Sequence, residues 1–385
     1  MDESANFSMN RVKSEFVLVV LLMPVFAFAQ AANPAEAIAL EEQGNLPEAA
    51  RVWKAVTLHN PNDAQAFASL GVVLAKEQKY QEAVSAYKRA LALDPGLPGI
   101  ELNLGLSEFK QGHYSAATTA LRAAVTADPS SMQAQTLLGM SYYGARKFDL
   151  ASKYLELASK ADPANAELHQ MLAQSCLWAK KMDCATEEFR TLLQQSPDSA
   201  PTHMLMGQAL DGLGKTPEAI AEFQAAAKIS PKEPNVHFGL GYLYWKSQQY
   251  DEARKEFEQE LTVDPNSAYA LAYLGDMEWK NDRPEAAIPL LQRATQQKKD
   301  LRIAYIDLGA IYLGQKNYKE AGAALNEAVK LDPEQSDAHY QLGRLYQATG
   351  RKAEAERELA KVRELHQKAD EGLAGKMPAP AESKP

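Results

Sequence analysis

The sequence predicts an all-α protein built from about ten copies of one helix-turn-helix unit, and three columns of residues predict it. At a period of 34 residues Gly falls at 71, 105, 139, 207, 241, 275, 309 and 343, with Ala37 and Ala173 in the two remaining places. Ala falls at 49, 83, 117, 151, 185, 219, 253, 287, 321 and 355. Pro closes the unit at 61, 95, 129, 163, 197, 231, 265 and 333. The columns run in step without an insertion or deletion, which is the mark of one supersecondary unit copied along the chain.

The clearest copy runs from Pro234 to Ser267. Its first helix is expected over Asn235 to Lys246, with Phe238, Leu240, Gly241 and Tyr244 on one side. Its second is expected over Asp251 to Val263, where Ala253, Phe257 and Leu261 recur at helical spacing. The polar turn Ser247-Gln248-Gln249-Tyr250 folds the two into an antiparallel hairpin. Gly241 and Ala253 stand where the helices should cross, because small side chains permit a close approach. Pro265 lacks a backbone donor and stops the second helix near Asp264. Asp63, Ser131, Asn165, Ser199 and Ser267 each follow the closing proline by two places and are expected to cap the next first helix.

In chain order, residues 1–29 read as a secretory signal. Arg11 and Lys13 precede the apolar run Phe16 to Phe28, and Ala27-Phe28-Ala29 offers a small-x-small cleavage site. A run of about 13 apolar residues is short for a bilayer span, so cleavage is expected, with an uncleaved anchor through residues 16–28 as the alternative. Ten frames follow in steps of 34: 30–63, 64–97, 98–131, 132–165, 166–199, 200–233, 234–267, 268–301, 302–335 and 336–369. Pro34 shortens the first helix of the first frame, as suits a terminal cap. In frame 268–301, Pro289 sits inside the second helix and Lys299 replaces the closing proline, so either a local irregularity with a change of superhelical pitch or a tolerated kink is expected. Gln367 replaces the last proline, which lets that helix run to about Glu371. Residues 370–385 otherwise form an Ala/Pro/Lys tail with little to bury, expected to be disordered.

Composition narrows the function. With residues 1–29 removed, 47 acidic and 39 basic residues remain, a net charge of −8 that excludes nucleic acid as the main partner. His169, His203, His237 and His339 share one column, but equivalent helices lie too far apart for one zinc ion, so the column is read as structural. Cys176 and Cys184 are the only cysteines. Their spacing of eight carries the chain across one hairpin, leaving two readings open, a staple or two buried thiols. Gly239 and Gly241 form a G-x-G inside a helix, without the strand and third glycine of a nucleotide site. No catalytic arrangement, metal set or cofactor site emerges, and the chain is not expected to be an enzyme.

This column order resembles the tetratricopeptide repeat over Gln30 to about Lys368: small residues at unit places 8 and 20, an aromatic residue or Leu at 24, and Pro at 32. The resemblance implies a right-handed superhelical solenoid that serves as a binding scaffold. In the family, places 2, 5, 6, 9, 12 and 13 of each first helix line a concave groove. Here they hold Phe238, Tyr242 and Trp245 in one unit and Tyr269, Tyr273 and Trp279 in the next, a candidate partner-binding groove. Phe109, Tyr143 and Trp178 form a second, thinner group. The alternative is that some of these rings only pack between helices. Lys76, Lys110, Lys246 and Lys280 share place 13 at the groove edge, where they either receive acidic segments or form a solvated row. The place-5 lysine of the family's carboxylate clamp is missing throughout, and Asn103 alone fits the clamp at place 6. The expected function is an exported, periplasmic or secreted scaffold that binds polypeptide segments of the cell envelope. The alternative is a carbohydrate-binding or polysaccharide-export accessory, for which Gln208, Asp211 and Asp276 would supply polar flanks.

Overall fold

The computed structural model describes residues 33–374; the expected signal at 1–29 and the tail from residue 375 on lie outside the described residues. The described residues fold as 20 helices and no strand. They divide into two compact units at Ala120 and Leu121. The first holds α1 (Pro34–Glu42), α2 (Leu46–His59), α3 (Ala64–Lys76), α4 (Tyr80–Leu93), α5 (Ile100–Lys110) and the start of α6 (Tyr114–Ala127). The second holds the rest of α6, then α7 (Met132–Gly144), α8 (Phe148–Ala161), α9 (Ala166–Trp178), α10 (Met182–Gln195), α11 (Ala200–Gly212), α12 (Thr216–Ile229), α13 (Val236–Lys246) and α14 (Tyr250–Val263). It continues with α15 (Ala268–Lys280), α16 (Pro284–Gln297), α17 (Arg302–Gly314), α18 (Tyr318–Leu331), α19 (Ser336–Ala348) and α20 (Lys352–Ala374). In the first unit α1 pairs with α2 and α3 with α4, in the second α7 pairs with α8 and so on to α19 with α20, and within each unit these pairs stack on one another. In the second unit the first helices also touch directly, α15 against α17 and α17 against α19.

Local rules set the hairpins. The residue that turns each pair has positive φ: Gly44, Gly112, Gly214 and Gly350, and otherwise Gln78, Arg146, Lys180, Gln248, Asp282 and Lys316. At Gln78 the turn closes with Lys79 N–H donating to Leu74 O at 2.9 Å and Gln78 N–H to Ala75 O at 3.0 Å, a Schellman stop. The column of Gly in the first helices makes room for the large residue at place 24 of the second. A Cβ on Gly71 would lie 2.5 Å from the Tyr87 ring, and one on Gly207 or Gly241 would lie 2.6 Å from Phe223 or Phe257. Ala49, Ala83, Ala253 and Ala287 of the second column are fully buried. Gly239 has a different task, since its missing Cβ admits the ring of Phe223 from the preceding pair.

Caps follow the sequence with one exception. Asp63, Ser131, Asn165 and Ser199 accept from Ala66, Ala134, Leu168 and Thr202 N–H, and Asn33 caps α1 in the same way. Ser267 does not: it is buried with φ −56°, and its hydroxyl makes no cap bond to α15. α13 starts one residue after Asn235, which takes φ 66° behind Pro234 and cannot cap. Glu260 of α14 substitutes, accepting from Asn235 N–H at 3.2 Å and Phe238 N–H at 3.1 Å while only 2% exposed. A carboxylate at a helix start is favoured by the helix dipole.

Two expectations about irregular frames need correcting. α16 keeps the 14 residues of α14 and α18 despite Pro289. Proline removes the bond to the carbonyl of Glu285, and because both residues are exposed, water can solvate that carbonyl. The helix also stops on schedule at Gln297 without a closing proline, since Leu301, 6% exposed, is drawn into the core of the next pair. At the other end α20 runs to Ala374, past the expected tail boundary at 370, and no proline intervenes to stop it sooner.

The histidine column is a set of tethers. Nδ1 of His169, His203, His237 and His339 lies 2.5, 2.6, 2.7 and 2.6 Å from Glu188, Glu222, Glu256 and Glu358. In each ring Nε2 sits 3.0 Å from the carbonyl of the preceding closing proline, Pro163, Pro197, Pro231 or Pro333. One ring thus ties a first helix to its second helix and to the loop before it. Cys176 of α9 and Cys184 of α10 form a disulfide with Cα atoms 5.8 Å apart, closing the same hairpin as His169.

Candidate binding site

The helical spacing of Phe238, Tyr242 and Trp245 puts them on one stripe of α13, and Tyr269 and Tyr273 make a matching stripe on α15. Stacking of the two pairs brings the stripes together. Phe238 lies 5.4 Å from Tyr269 and 6.0 Å from Tyr273, centroid to centroid. Tyr273 meets Trp245 edge-on at 5.1 Å and Tyr242 edge-on at 5.9 Å. Beneath them Phe257 of α14, fully buried, stacks on Tyr273 at 5.3 Å and fixes the floor. Edge-to-face pairs of this kind add about 0.5–1.5 kcal/mol each to the area they bury. The result is a pre-ordered aromatic patch in which Tyr269 is 41% exposed and Phe238, Tyr242, Trp245 and Tyr273 are half-buried. Burial, with the charges of Tyr242, Asp276 and Tyr269 behind it, pushes the Tyr273 hydroxyl up to about 12, so it stays a neutral donor.

Trp279 is not part of this patch. At place 12 it turns toward the following pair and packs on the core around Leu301, Ala304 and Leu308. There it borders a cavity of about 350 Å³ with Leu313, Tyr318 and Arg344. The thinner group is also divided. Tyr143 and Trp178 are joined through Phe148, at 6.1 and 6.3 Å, and the Tyr143 hydroxyl donates to Gln174. Trp178 is 58% exposed. Phe109 belongs to the first unit, where it packs edge-on against Tyr114 at 5.7 Å.

Three of the four lysines are held by carboxylates, which removes most of their free charge. Lys246 bonds Asp211 at 2.7 Å, and that bond holds its ammonium above the ordinary lysine value. Lys280 bonds Asp276 at 2.8 Å and lies 5.0 Å over the Trp245 ring. Lys76 pairs with Glu41 at 3.4 Å, beside a cavity of about 300 Å³ that Lys110 and Asn103 also line. A third cavity, about 190 Å³, opens between α11 and α13 and is bordered by Gln208, Asp211, Phe238, Gly239 and Tyr242.

Carboxylates complete the floor. Asp276, 4% exposed, accepts from Trp245 Nε1 at 3.2 Å as well as from Lys280. Asp307 of α17, 9% exposed, has no partner for its Oδ2. Desolvation, reinforced by Asp276 and opposed by Lys280, pushes its carboxyl up to about 8. Asp307 was not singled out from sequence. The signal was present in the acids at place 9 of one unit, place 6 of the next and place 2 of the one after, Asp276, Asp307 and Asp337. Among the described residues no group of three or more His, Cys, Asp or Glu is placed to hold a metal ion.

Comparison with known proteins agrees with the fold. A tetratricopeptide repeat profile matches residues 35–98, 102–166 and 238–301, and a second matches 142–209 and 312–375. A profile described as TPR repeat matches residues 207–248. No curated protein matches the chain. Among solved structures, the APC/C hetero-tetramer Cut9–Hcn1 superposes with a TM-score of 0.51 at 14% identity, over 86% of this chain and 80% of that one. MamA MSR-1 is 27% identical over 43% of this chain and 96% of its own, with a TM-score of 0.39. YrrB, described as a TPR protein with an unusual peptide-binding site, is 22% identical over 50% of this chain and 99% of its own, also at 0.39. Matched by such profiles over most of its length and folded as successive helices with the repeat's small-residue, large-residue and proline columns, the chain belongs to the tetratricopeptide repeat family.

Proposed function

We propose that this protein is a non-enzymatic scaffold that binds an extended or helical polypeptide segment across the first helices α13 and α15. The observation that carries the reading is the aromatic patch of Phe238, Tyr242, Trp245, Tyr269 and Tyr273, ordered from below by Phe257 and left partly open to solvent. Large rings held rigid before binding lose little entropy on contact and act as anchors for apolar side chains. The ion-paired lysines form a polar rim around the patch. Export to the periplasm or beyond rests on the charged start, apolar run and cleavage pattern of residues 1–29. No helix among the described residues is long and apolar enough to cross a membrane.

A carbohydrate partner is the second reading, favoured by the cavity where Gln208 and Asp211 stand beside Tyr242. Against it, the rings of Phe238, Tyr242 and Tyr273 meet at tilted or edge-on angles and cover one another's faces, whereas sugar stacking needs free flat faces. Capture from a cell-envelope extract separates the two readings. The full chain and a Tyr242→Ala/Tyr269→Ala variant of equal helix content are compared. Loss of bound polypeptides with the variant supports the proposal; loss of glycan alone overturns it in favour of the second reading.

A further inference from the structure

We propose that the Asp276 and Asp307 carboxyl groups, between α15 and α17 beside the aromatic patch, form the subsite for a basic side chain, lysine or arginine, of the bound segment. The inference rests on the polypeptide reading above and names the chemistry of the partner. The charges around the patch are paired except at one place. Lys246 meets Asp211, Lys280 meets Asp276, and Arg302 meets Asp337 at 2.5 Å. Asp307 feels the charges of Asp276 and Lys280 of α15 and of Asp337 of α19, the two first helices in contact with α17. Its Oδ2 is buried and accepts no hydrogen bond. A buried acceptor left unmade carries a desolvation cost that a donor from a partner removes; the Asp307 carboxyl keeps its proton at neutral pH, and a cation placed beside it favours the ionised form, so that binding releases the proton and leaves a charge-assisted bond.

The chain already shows that this corner suits a cation. The Lys280 ammonium rests on Asp276 and over the face of Trp245, held by a carboxylate and a ring together. Trp245 Nε1 in turn bonds Asp276 and locks that ring in place. Lys280 serves Asp276 alone, and Asp307, neutral while nothing balances it, is left as the group that a second cation would ionise. A segment anchored by apolar side chains on Tyr269 and Tyr273 would bring such a group within reach of α17.

The test is selection of a random dodecapeptide library, displayed on phage, against the immobilised full chain. Parallel selections use Asp307→Asn, Lys280→Met, and the Tyr242→Ala/Tyr269→Ala variant as the patch control. Peptides enriched on the parent should carry Lys or Arg at a fixed distance from an apolar or aromatic residue. Asp307→Asn, which keeps the shape of the side chain, should cut that basic excess at least threefold while still enriching apolar peptides. Lys280→Met, which frees Asp276, should increase it. Enrichment without a basic excess, or a basic excess unchanged by Asp307→Asn, overturns the subsite and leaves the polypeptide reading standing. No enrichment over the patch control overturns both.

Discussion

At the scale of the residue, Asp307 is the side chain whose surroundings depart furthest from its needs. A folded-state value near 8 against an ordinary 3.8 means that the folded chain keeps a proton that the unfolded chain releases. Because the folded state binds more protons between those values, stability is highest at the acid end of the window and falls as pH rises through it to about 8. A tenfold change in proton affinity is worth about 1.4 kcal/mol, so ionising Asp307 in the folded chain costs a few kcal/mol. Asp307→Asn should therefore be more stable than the parent at pH 9, with the advantage fading toward pH 5. Urea unfolding at the two pH values checks this; a parent and variant with parallel pH dependence would contradict the burial argument. The histidine tethers show the opposite condition, with each ring nitrogen within hydrogen-bond distance of a protein oxygen in all four copies.

At the scale of the element, the Gly column and the place-24 column are one device. The ring of Phe257 fills the space that a Cβ on Gly241 would need, and the same ring is the floor of the aromatic patch. Gly241→Leu should accordingly lower stability by about 1–3 kcal/mol through overpacking and distort the patch with it. Thermal unfolding and near-ultraviolet circular dichroism of the variant measure both effects, and an unchanged melting transition would sink the assignment. Helix positions, hairpin turns and most caps were legible in the sequence because they depend on neighbours a few residues apart. Contacts between pairs were not. Glu260 capping α13, Phe223 against Gly239 and Trp279 turning to the next pair all depend on how one hairpin rotates on another. The period does not encode that rotation. Pro289 misled for a related reason: a proline reads as a breaker in sequence, but its cost depends on whether the freed carbonyl meets water.

At the scale of the whole molecule, the proposed site falls at one of the two internal first helices that start late, α13, the other being α5. A solenoid distributes stability among neighbouring pairs, so individual first helices are free to vary without loss of the fold. α13 uses that freedom: it starts late, relies on a carboxylate from α14 for its cap, and carries four large aromatics, three of them in the patch. The site was half legible, since five of the six nominated rings assemble while the acidic floor emerges only from stacking α15 on α17. The central claim is that this patch receives polypeptide. Its most direct test is photo-crosslinking, with p-benzoylphenylalanine in place of exposed Tyr269 on α15 and, as control, in place of Leu58 on α2, which is 81% exposed. After irradiation with an envelope extract, discrete polypeptide adducts are predicted at Tyr269 and not at Leu58. Equal adducts at both positions, or none at Tyr269, would contradict the account.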